Sequence, residues 1–289
     1  MTMKRILLFI TLAACSLTAN AQLLWKISGN GLERPSYVFG THHMASRAIC
    51  DSISGFKDAF ASVEQVIGEV ETDLMNDPAT MTQMTPYMMI PEGVKLSSLF
   101  TPKEVILING FIRPRLGFSL KDLNTMKPAF LSNMITLTLS SEYFPEFENQ
   151  EGIDSYLQTR AKKYGKSVGG LETVEFQMDM LFNEDLETQA DDLVDLVKNG
   201  DKAMKATGKL AQIYMTQNMK KINRFMHKGS DKEDIKKMLD DRNMNWIVQM
   251  KVIMPETPTM FVVGAGHLPG KNGVLKLLEN EGYTVEPIY

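Results

Sequence analysis

The chain has 289 residues, of which 31 are basic and 35 acidic, so its formal net charge at neutral pH is −4. This acidic balance argues against a nucleic-acid-binding protein, whose affinity depends on basic side chains that neutralise phosphates. Its 2 cysteines are too few for a disulfide framework, so stability must come from a packed hydrophobic core.

The first 21 residues have the pattern of a secretory signal peptide, with a basic start, a short apolar stretch and small residues at positions 19 and 21. This pattern predicts export to the periplasm or secretion. An alternative is that residues 12–15, which resemble a bacterial lipobox, leave a lipid anchor on Cys15 at the outer membrane or cell surface. After the leader, no segment approaches the ~18 apolar residues of a spanning helix, which predicts no transmembrane span in the mature protein.

The first predicted strands are residues 24–28 and 36–39, and the glycine-rich turn between them predicts a hairpin. The second strand continues into Gly40-Thr41-His42-His43. A glycine at this position lets the backbone turn off the strand and aim an imidazole into the crevice at the sheet edge. We therefore expect this element to present His43 at a site.

A helix over residues 53–64 and a strand over residues 66–71 are predicted next. Glu69 and Glu71 are two positions apart, so in a strand they would project from the same face. They are candidate functional carboxylates, with the solvent face of an edge strand as the alternative.

The middle of the chain, about residues 78–254, is predicted to be helical, interrupted by a short strand at residues 167–170. The helix ends are indicated by two capping boxes and two glycines: residues 101–104 and 230–233, Gly165 and Gly200.

The C-terminal residues predict a strand at 260–263, a glycine loop, a helix at 274–280 and a final strand at 284–288. The loop contains Gly264-Ala265-Gly266-His267, a second glycine-to-histidine step after a buried strand. Three of the 4 histidines lie in the two Gly-x-x-His elements, so we expect the two elements to form one site. The remaining one, His227, is interpreted as stabilising a helix end.

These elements predict an α/β fold, with a mixed sheet formed by the N- and C-terminal segments and a large helical middle region. We expect residues 22–289 to form a single domain, with the helical part, about residues 78–254, as an insertion.

An ordered set of motifs along nearly the whole mature chain resembles the TraB/PrgY/GumN family. The motifs are residues 24–27, 37–43, 127–128, 152–154, 170–173 and 241–243, Glu69, Trp246, and residues 261–270 and 282–285. This family is similar to the Tiki proteins, described as metal-dependent proteases with two G-x-x-H elements, and more widely to erythromycin-esterase-like and haem-uptake ChaN-like proteins. One departure is His42, where the family pattern usually has an apolar residue.

The resemblance implies a divalent metal bound by His43, His267 and Glu69, with zinc, manganese or cobalt as the candidates. Two imidazoles and one carboxylate leave a coordination position open for water, whose pKa the metal lowers.

The catalytic candidates are Glu71, Glu172, Arg242 and Asn243, the last implied by the resemblance alone. Glu71 or Glu172 would accept the proton of the water as a second carboxylate. Arg242 would hold a carboxylate or stabilise an oxyanion through its fork of donors. The alternatives are a helix-start role for Glu172 and a solvated or ion-paired Arg242.

The function favoured is an exported metal-dependent hydrolase, peptidase-like, that acts on a peptide or a small exported substrate. Two other classes stay open: a non-catalytic protein that binds a peptide or haem, and an esterase-like hydrolase that uses His and Glu without a metal.

Overall fold

The structure, a computed structural model, describes residues 22–147, 150–228 and 231–289. The expected leader, with Cys15, and Ser230 of the second capping box lie outside the described residues. Within those ranges no helix combines the length and the apolar character needed to cross a membrane. The described chain divides into two compact units. The first unit contains residues 22–41, Cys50–Val63 and Ile213–Tyr289, and the second contains His42–Ile49 and Glu64–Gln212.

The strands and helices follow in chain order. The strands are β1 (Leu24–Ser28), β2 (Ser36–Thr41), β3 (Gln65–Gly68), β4 (Ser167–Gly170), β5 (Thr259–Gly264) and β6 (Thr284–Pro287). The helices are α1 (Ala48–Ser52), α2 (Phe56–Ser62), α3 (Pro78–Met88), α4 (Pro102–Leu116), α5 (Pro128–Tyr143), α6 (Ile153–Lys163), α7 (Val174–Phe182), α8 (Leu186–Met215), α9 (Met219–Met226), α10 (Lys232–Ile235), α11 (Asp241–Glu256) and α12 (Val274–Asn280).

A mixed sheet forms the centre of the first unit. Strand β1 pairs antiparallel with β2 and with β6, and β2 pairs parallel with β5. The predicted hairpin is confirmed, and its turn depends on left-handed backbone, with φ 76° at Gly29, 47° at Asn30 and 84° at Gly31. Strands β5 and β6 are separated in this sheet by β2 and β1. The expected α/β fold, with a mixed sheet built from both chain ends, is therefore confirmed.

The strands β2 and β5 are buried along their length and pair side by side in parallel, so their carboxyl ends lie close together. Thr41 pairs with Gly264, the first residue of the second Gly-x-x-His element. A Cβ added to Gly40 would lie 3.1 Å from the Cα atom of Ala265 and 3.1 Å from the Cδ2 atom of Leu268. The glycines of the two elements thus make the strand ends neighbours.

The second unit contains the predicted helical middle as far as Gln212, whereas residues 213–254 belong to the first unit. It also contains the parallel pair β3 and β4, which confirms the strand expected at residues 167–170. Its main core is formed by apolar residues of α4, α5 and α8, of the segment before α4 and of the segment between α4 and α5: Leu96, Phe100, Ile108, Ile112, Leu120, Leu131, Ile135, Leu139, Ala190, Leu193, Val194, Val197 and Met204.

The predicted helix ends are partly correct. The capping box of Thr101 and Glu104 at the start of α4 is confirmed. So is Gly165, which follows α6 with φ 72°. Gly200 was wrongly predicted as a helix end, because it lies inside α8. A Cβ there would come within 2.7 Å of the Cδ1 atom of Leu139, so this glycine allows α8 to pack closely on α5.

Two predicted elements before the helical middle are wrong in their bounds. The helix expected over residues 53–64 is replaced by α1 and α2, which are separated near Gly55 with φ 70°. The strand expected over residues 66–71 ends at Gly68. A Cβ on Gly68 would lie 2.4 Å from the Nε2 atom of Gln158, and the chain bends there. Glu69 and Glu71 therefore do not share a strand face.

Candidate functional site

The second Gly-x-x-His element places His267 in a single 3₁₀ turn, Ala265–His267, directly after β5. The imidazole is buried, with its Nδ1 atom 2.7 Å from the Oδ1 atom of Asn243 on α11. The Nδ2 atom of Asn243 donates to the carbonyl of Asn272 at 2.8 Å and to the carbonyl of His267 at 3.3 Å. Since both carbonyls are acceptors, the hydrogen-bond network assigns the amide oxygen to the imidazole. His267 therefore donates from Nδ1, and Nε2 carries its lone pair.

Arg242, one of the predicted catalytic candidates, lies beside this imidazole. The residue is only 5% exposed, so the alternative that it is solvated is wrong. Its Nη1 atom lies 3.3 Å from Nε2 of His267 and donates to the carbonyl of Met238 at 3.2 Å. The guanidinium is 5.0 Å from the ring centre of Trp246, and that ring is 4.3 Å from the imidazole. A guanidinium can only donate hydrogen bonds, so Nε2 of His267 is the acceptor in this contact.

Two residues that the sequence did not single out support this arrangement. A π-helical turn, Lys236–Asp240, leads into α11, as is frequent at functional sites. The Oδ2 atom of Asp240 accepts a hydrogen bond from the Nδ2 atom of Asn272 at 2.6 Å. A chain of contacts thus runs from Asp240 through Asn272 and Asn243 to His267. No motif or spacing indicated the first two residues, since their pairing depends on the tertiary approach of the glycine loop to α11.

In the second unit, His43 contacts Asp154, which lies in the first turn of α6. The imidazole is 83% exposed, and its Nδ1 atom lies 3.3 Å from the Oδ2 atom of Asp154. The hydrogen bond and charge of Asp154, with a smaller contribution from the charge of Glu69, raise the pKa of His43 to about 9. Asp154 belongs to the quoted motif 152–154, which was the only signal that pointed to it.

The pKa of the neighbouring His42 is shifted in the opposite direction. Burial and the charge of His43 lower the pKa of His42 to about 4. Its Nδ1 atom accepts a hydrogen bond from the backbone N–H of Met44 at 3.1 Å. At neutral pH the pair therefore consists of a neutral His42 beside a charged His43.

The three candidate glutamates lie in the loops that follow β3 and β4. These strands are parallel, so their carboxyl ends meet at one edge, where the backbone N–H of Glu172 donates to the carbonyl of Glu69 at 2.7 Å. The side chain of Glu172 accepts from Gln177 at 3.1 Å. Glu71 forms an ion pair with Lys162, 3.1 Å between Oε1 and Nζ. The structure thus brings Glu69 and Glu172 together and engages Glu71 in an ion pair.

The donor chemistry of these residues fits a divalent metal. Nε2 of His267 carries the lone pair that a ligand needs, and its Nδ1–H is held by a side-chain oxygen, as is usual for metal-bound histidines. His43 and Glu69 offer an imidazole and a carboxylate. Over residues 22–147, 150–228 and 231–289, however, no three His, Cys, Asp or Glu side chains are grouped so that they could hold a metal ion. A common site for His43, Glu69 and His267 stays a prediction.

Comparisons with known proteins agree with the resemblance. A sequence model of the TraB/PrgY/gumN family matches residues 23–287. Metalloprotease TIKI1 of Homo sapiens is 22% identical over 91% of this chain and 61% of its own length. Metalloprotease TIKI2 of Danio rerio is 22% identical over 91% of this chain and 60% of its own length. The Metalloprotease TIKI homolog of Nematostella vectensis is 20% identical over 87% of this chain and 64% of its own length. The chain spans about three fifths of the length of these curated relatives. No solved structure matches it.

Proposed function

The chain belongs to the TraB/PrgY/gumN family, and on that premise we propose that it is a metal-dependent hydrolase that cleaves peptides. The relatives named metalloproteases support hydrolysis and metal dependence. The observation that carries the proposal is the contact of His267 with Asn243, 2.7 Å between Nδ1 and Oδ1. This contact places the proton on Nδ1 and leaves Nε2 unprotonated, as a metal ligand or a general base requires.

Each of the chain's own residues has a proposed role. Asn243 fixes the tautomer of His267, and Arg242 supplies a permanent positive charge where an oxyanion develops. Glu172 is the candidate base that takes a proton from water, because Glu71 is paired with Lys162. A divalent metal would lower the pKa of a bound water, and its candidate ligands are His43, Glu69 and His267.

The proposal is tested by measuring metal content and divalent-metal affinity of the purified chain from residue 22 to residue 289. We expect about one equivalent of zinc, manganese or cobalt, lost in His43→Ala, in His267→Ala and in the paired variant. His227→Ala is the matched control, since this histidine ends α9 and contacts the carbonyl of Asn223 as predicted. Absence of binding by the parent, or unchanged binding by the paired variant, would contradict the proposal.

One observation favours a metal-independent hydrolase as a second candidate. The Nη1 atom of Arg242 lies 3.3 Å from Nε2 of His267, the nitrogen that a metal would bind. In that case His267 and Glu172 would act as bases without a metal. Hydrolysis that survives a chelator and is lost in His267→Ala would support this second function over the first.

We also propose that the protein is exported by its first 21 residues and acts in the periplasm or outside the cell, with a lipid anchor on Cys15 as the alternative. The basic start and the small residues at positions 19 and 21 support this proposal. The intact mass of the protein recovered from each cell fraction tests it. A chain that begins at residue 22 supports simple cleavage, a lipid-modified chain that begins at residue 15 supports the anchor, and an uncleaved cytoplasmic chain contradicts export.

A further inference from the structure

A pocket of about 220 Å³ opens beside His43 in the second unit. Its walls come from the segment that follows His43, from the C-terminal half of α5 and from residues 150–152 before α6. The apolar part of the lining consists of Met44, Ala45, Leu137, Phe144 and Phe147. His43 itself lines the pocket, so whatever occupies the pocket lies next to a candidate metal ligand.

The volume of the pocket decides the size of its occupant. Pockets for drug-sized ligands have volumes of about 300–1,000 Å³, whereas a cavity of about 150 Å³ is enough for benzene. At about 220 Å³ the pocket holds one aromatic or branched apolar side chain and is too small for a haem. This favours a peptide side chain over a haem as the occupant of this pocket.

The polar groups at the rim restrict the charge of the occupant. The Oε1 atom of Glu151 accepts hydrogen bonds from the hydroxyls of Ser155 and Thr159, each at 2.7 Å, which fix its carboxylate at the pocket. An acidic side chain would therefore meet like charge, while Leu137, which is 69% exposed, offers apolar surface to an uncharged one.

We propose that this pocket binds one uncharged apolar side chain of the substrate peptide, of the size of leucine, methionine or phenylalanine, next to the bond that is cleaved. The role as a substrate subsite rests on the proposed function, whereas binding of an apolar side chain is tested independently of hydrolysis.

The binding test uses the full mature chain and N-acetyl-phenylalanine amide as the probe. Met44 lines the pocket, so its ¹³C-labelled methyl group reports occupancy by NMR, and its resonance is identified by its loss in Met44→Leu. We expect saturable shifts with the phenylalanine and leucine amides and none with the aspartate amide. Ser141→Phe, which places a ring at the pocket from α5, should abolish the shifts. Thr136→Phe, exposed on α5 outside the lining, is the matched control.

The hydrolysis test maps the cleaved bonds in a mixture of synthetic peptides. We expect cleavage next to apolar residues and a loss of about 10- to 100-fold in kcat/KM in Ser141→Phe for those peptides, as an apolar contact provides. Binding of the phenylalanine amide without hydrolysis of any peptide would contradict the proposed function and leave the pocket assignment intact. Unchanged Met44 shifts in Ser141→Phe, or stronger binding of N-acetyl-lysine amide, would overturn the pocket assignment even in an active hydrolase.

Discussion

The Nδ1 atom of His267 lies 2.7 Å from the Oδ1 atom of Asn243, and this contact determines which nitrogen of a buried imidazole carries the proton. We predict that Asn243→Ala destabilises the protein, because it removes the acceptor of the imidazole N–H and the donor to the buried carbonyl of His267. Each buried group left unpaired costs about 1–3 kcal/mol. Urea unfolding measures the loss of stability, and ¹H–¹⁵N NMR of the imidazole ring measures the tautomer.

The matched control for this prediction is Asn199→Ala, since Asn199 is exposed on α8 and its side-chain amide donates to Asp195 of the same helix. This substitution should leave both the free energy of unfolding and the tautomer of His267 unchanged. A folded Asn243→Ala variant that keeps the proton on Nδ1 would show that Asn243 does not determine the tautomer.

A second prediction concerns the ionisation of His43. Its pKa is raised from 6.5 to about 9 by Asp154, so the contact stabilises the folded state fully below pH 6.5 and loses this effect as the pH rises through 9. In Asp154→Asn the pKa should fall toward the ordinary value. Titration of the His43 ring by NMR measures the shift. Asp191→Asn, on the exposed face of α8, should leave the midpoint unchanged. Equal midpoints in the parent and Asp154→Asn would exclude Asp154 as the cause.

The position of His267 was predictable because a local signal, an apolar strand followed by a glycine, determines where the chain turns. The partners of His267 were predictable only in part. Arg242 and Asn243 were found through the family motif, whereas Asp240 and Asn272 carry no local signal. They are 32 positions apart, and only the fold brings them to 2.6 Å.

The prediction that Glu69 and Glu71 share a strand face was also wrong because of a contact between residues distant in the sequence. Alternation of apolar and acidic residues continues to residue 71 in the sequence, but the strand ends at Gly68. Gln158, on α6, donates to the carbonyl of Val70 at 2.9 Å and accepts from the backbone N–H of Thr72 at 3.1 Å. These contacts provide hydrogen-bond partners for the backbone in a bend, where a strand would have found them in the sheet. Since Gln158 lies far away in the sequence, the residue pattern around Glu69 does not reveal the bend.

A third prediction tests the close packing of this bend. A Cβ on Gly170 would lie 2.8 Å from the Cα atom of Val70 and 2.9 Å from the backbone nitrogen of Glu71, so Gly170→Ala forces the backbone of the loop after β3 to move. We expect a loss of stability of about 1–3 kcal/mol and altered NMR shifts at Glu69.

Gly110→Ala is the control for this substitution, because a Cβ on Gly110, inside α4, would meet nothing within 4 Å. Alanine is the better helix former there, by about 0.5–1 kcal/mol. Urea unfolding of the two variants should thus give changes of opposite sign. A neutral Gly170→Ala would show that the loop tolerates a side chain and that its geometry is not set by this contact.

A fourth prediction tests the contact that positions the end of β2, just before His42 and His43. The hydroxyl of the fully buried Tyr214, at the end of α8, donates to the carbonyl of Gly40 at 2.9 Å. Tyr214→Phe keeps the ring and removes this donor, so the buried carbonyl is left unpaired at a cost of about 1–3 kcal/mol. Tyr289→Phe, at an exposed tyrosine, is the control and should have no effect. Since Gly40 lies against Ala265, backbone NMR shifts in Tyr214→Phe should extend to the second Gly-x-x-His element. Shifts confined to α8 would mean that Tyr214 does not position the strand end.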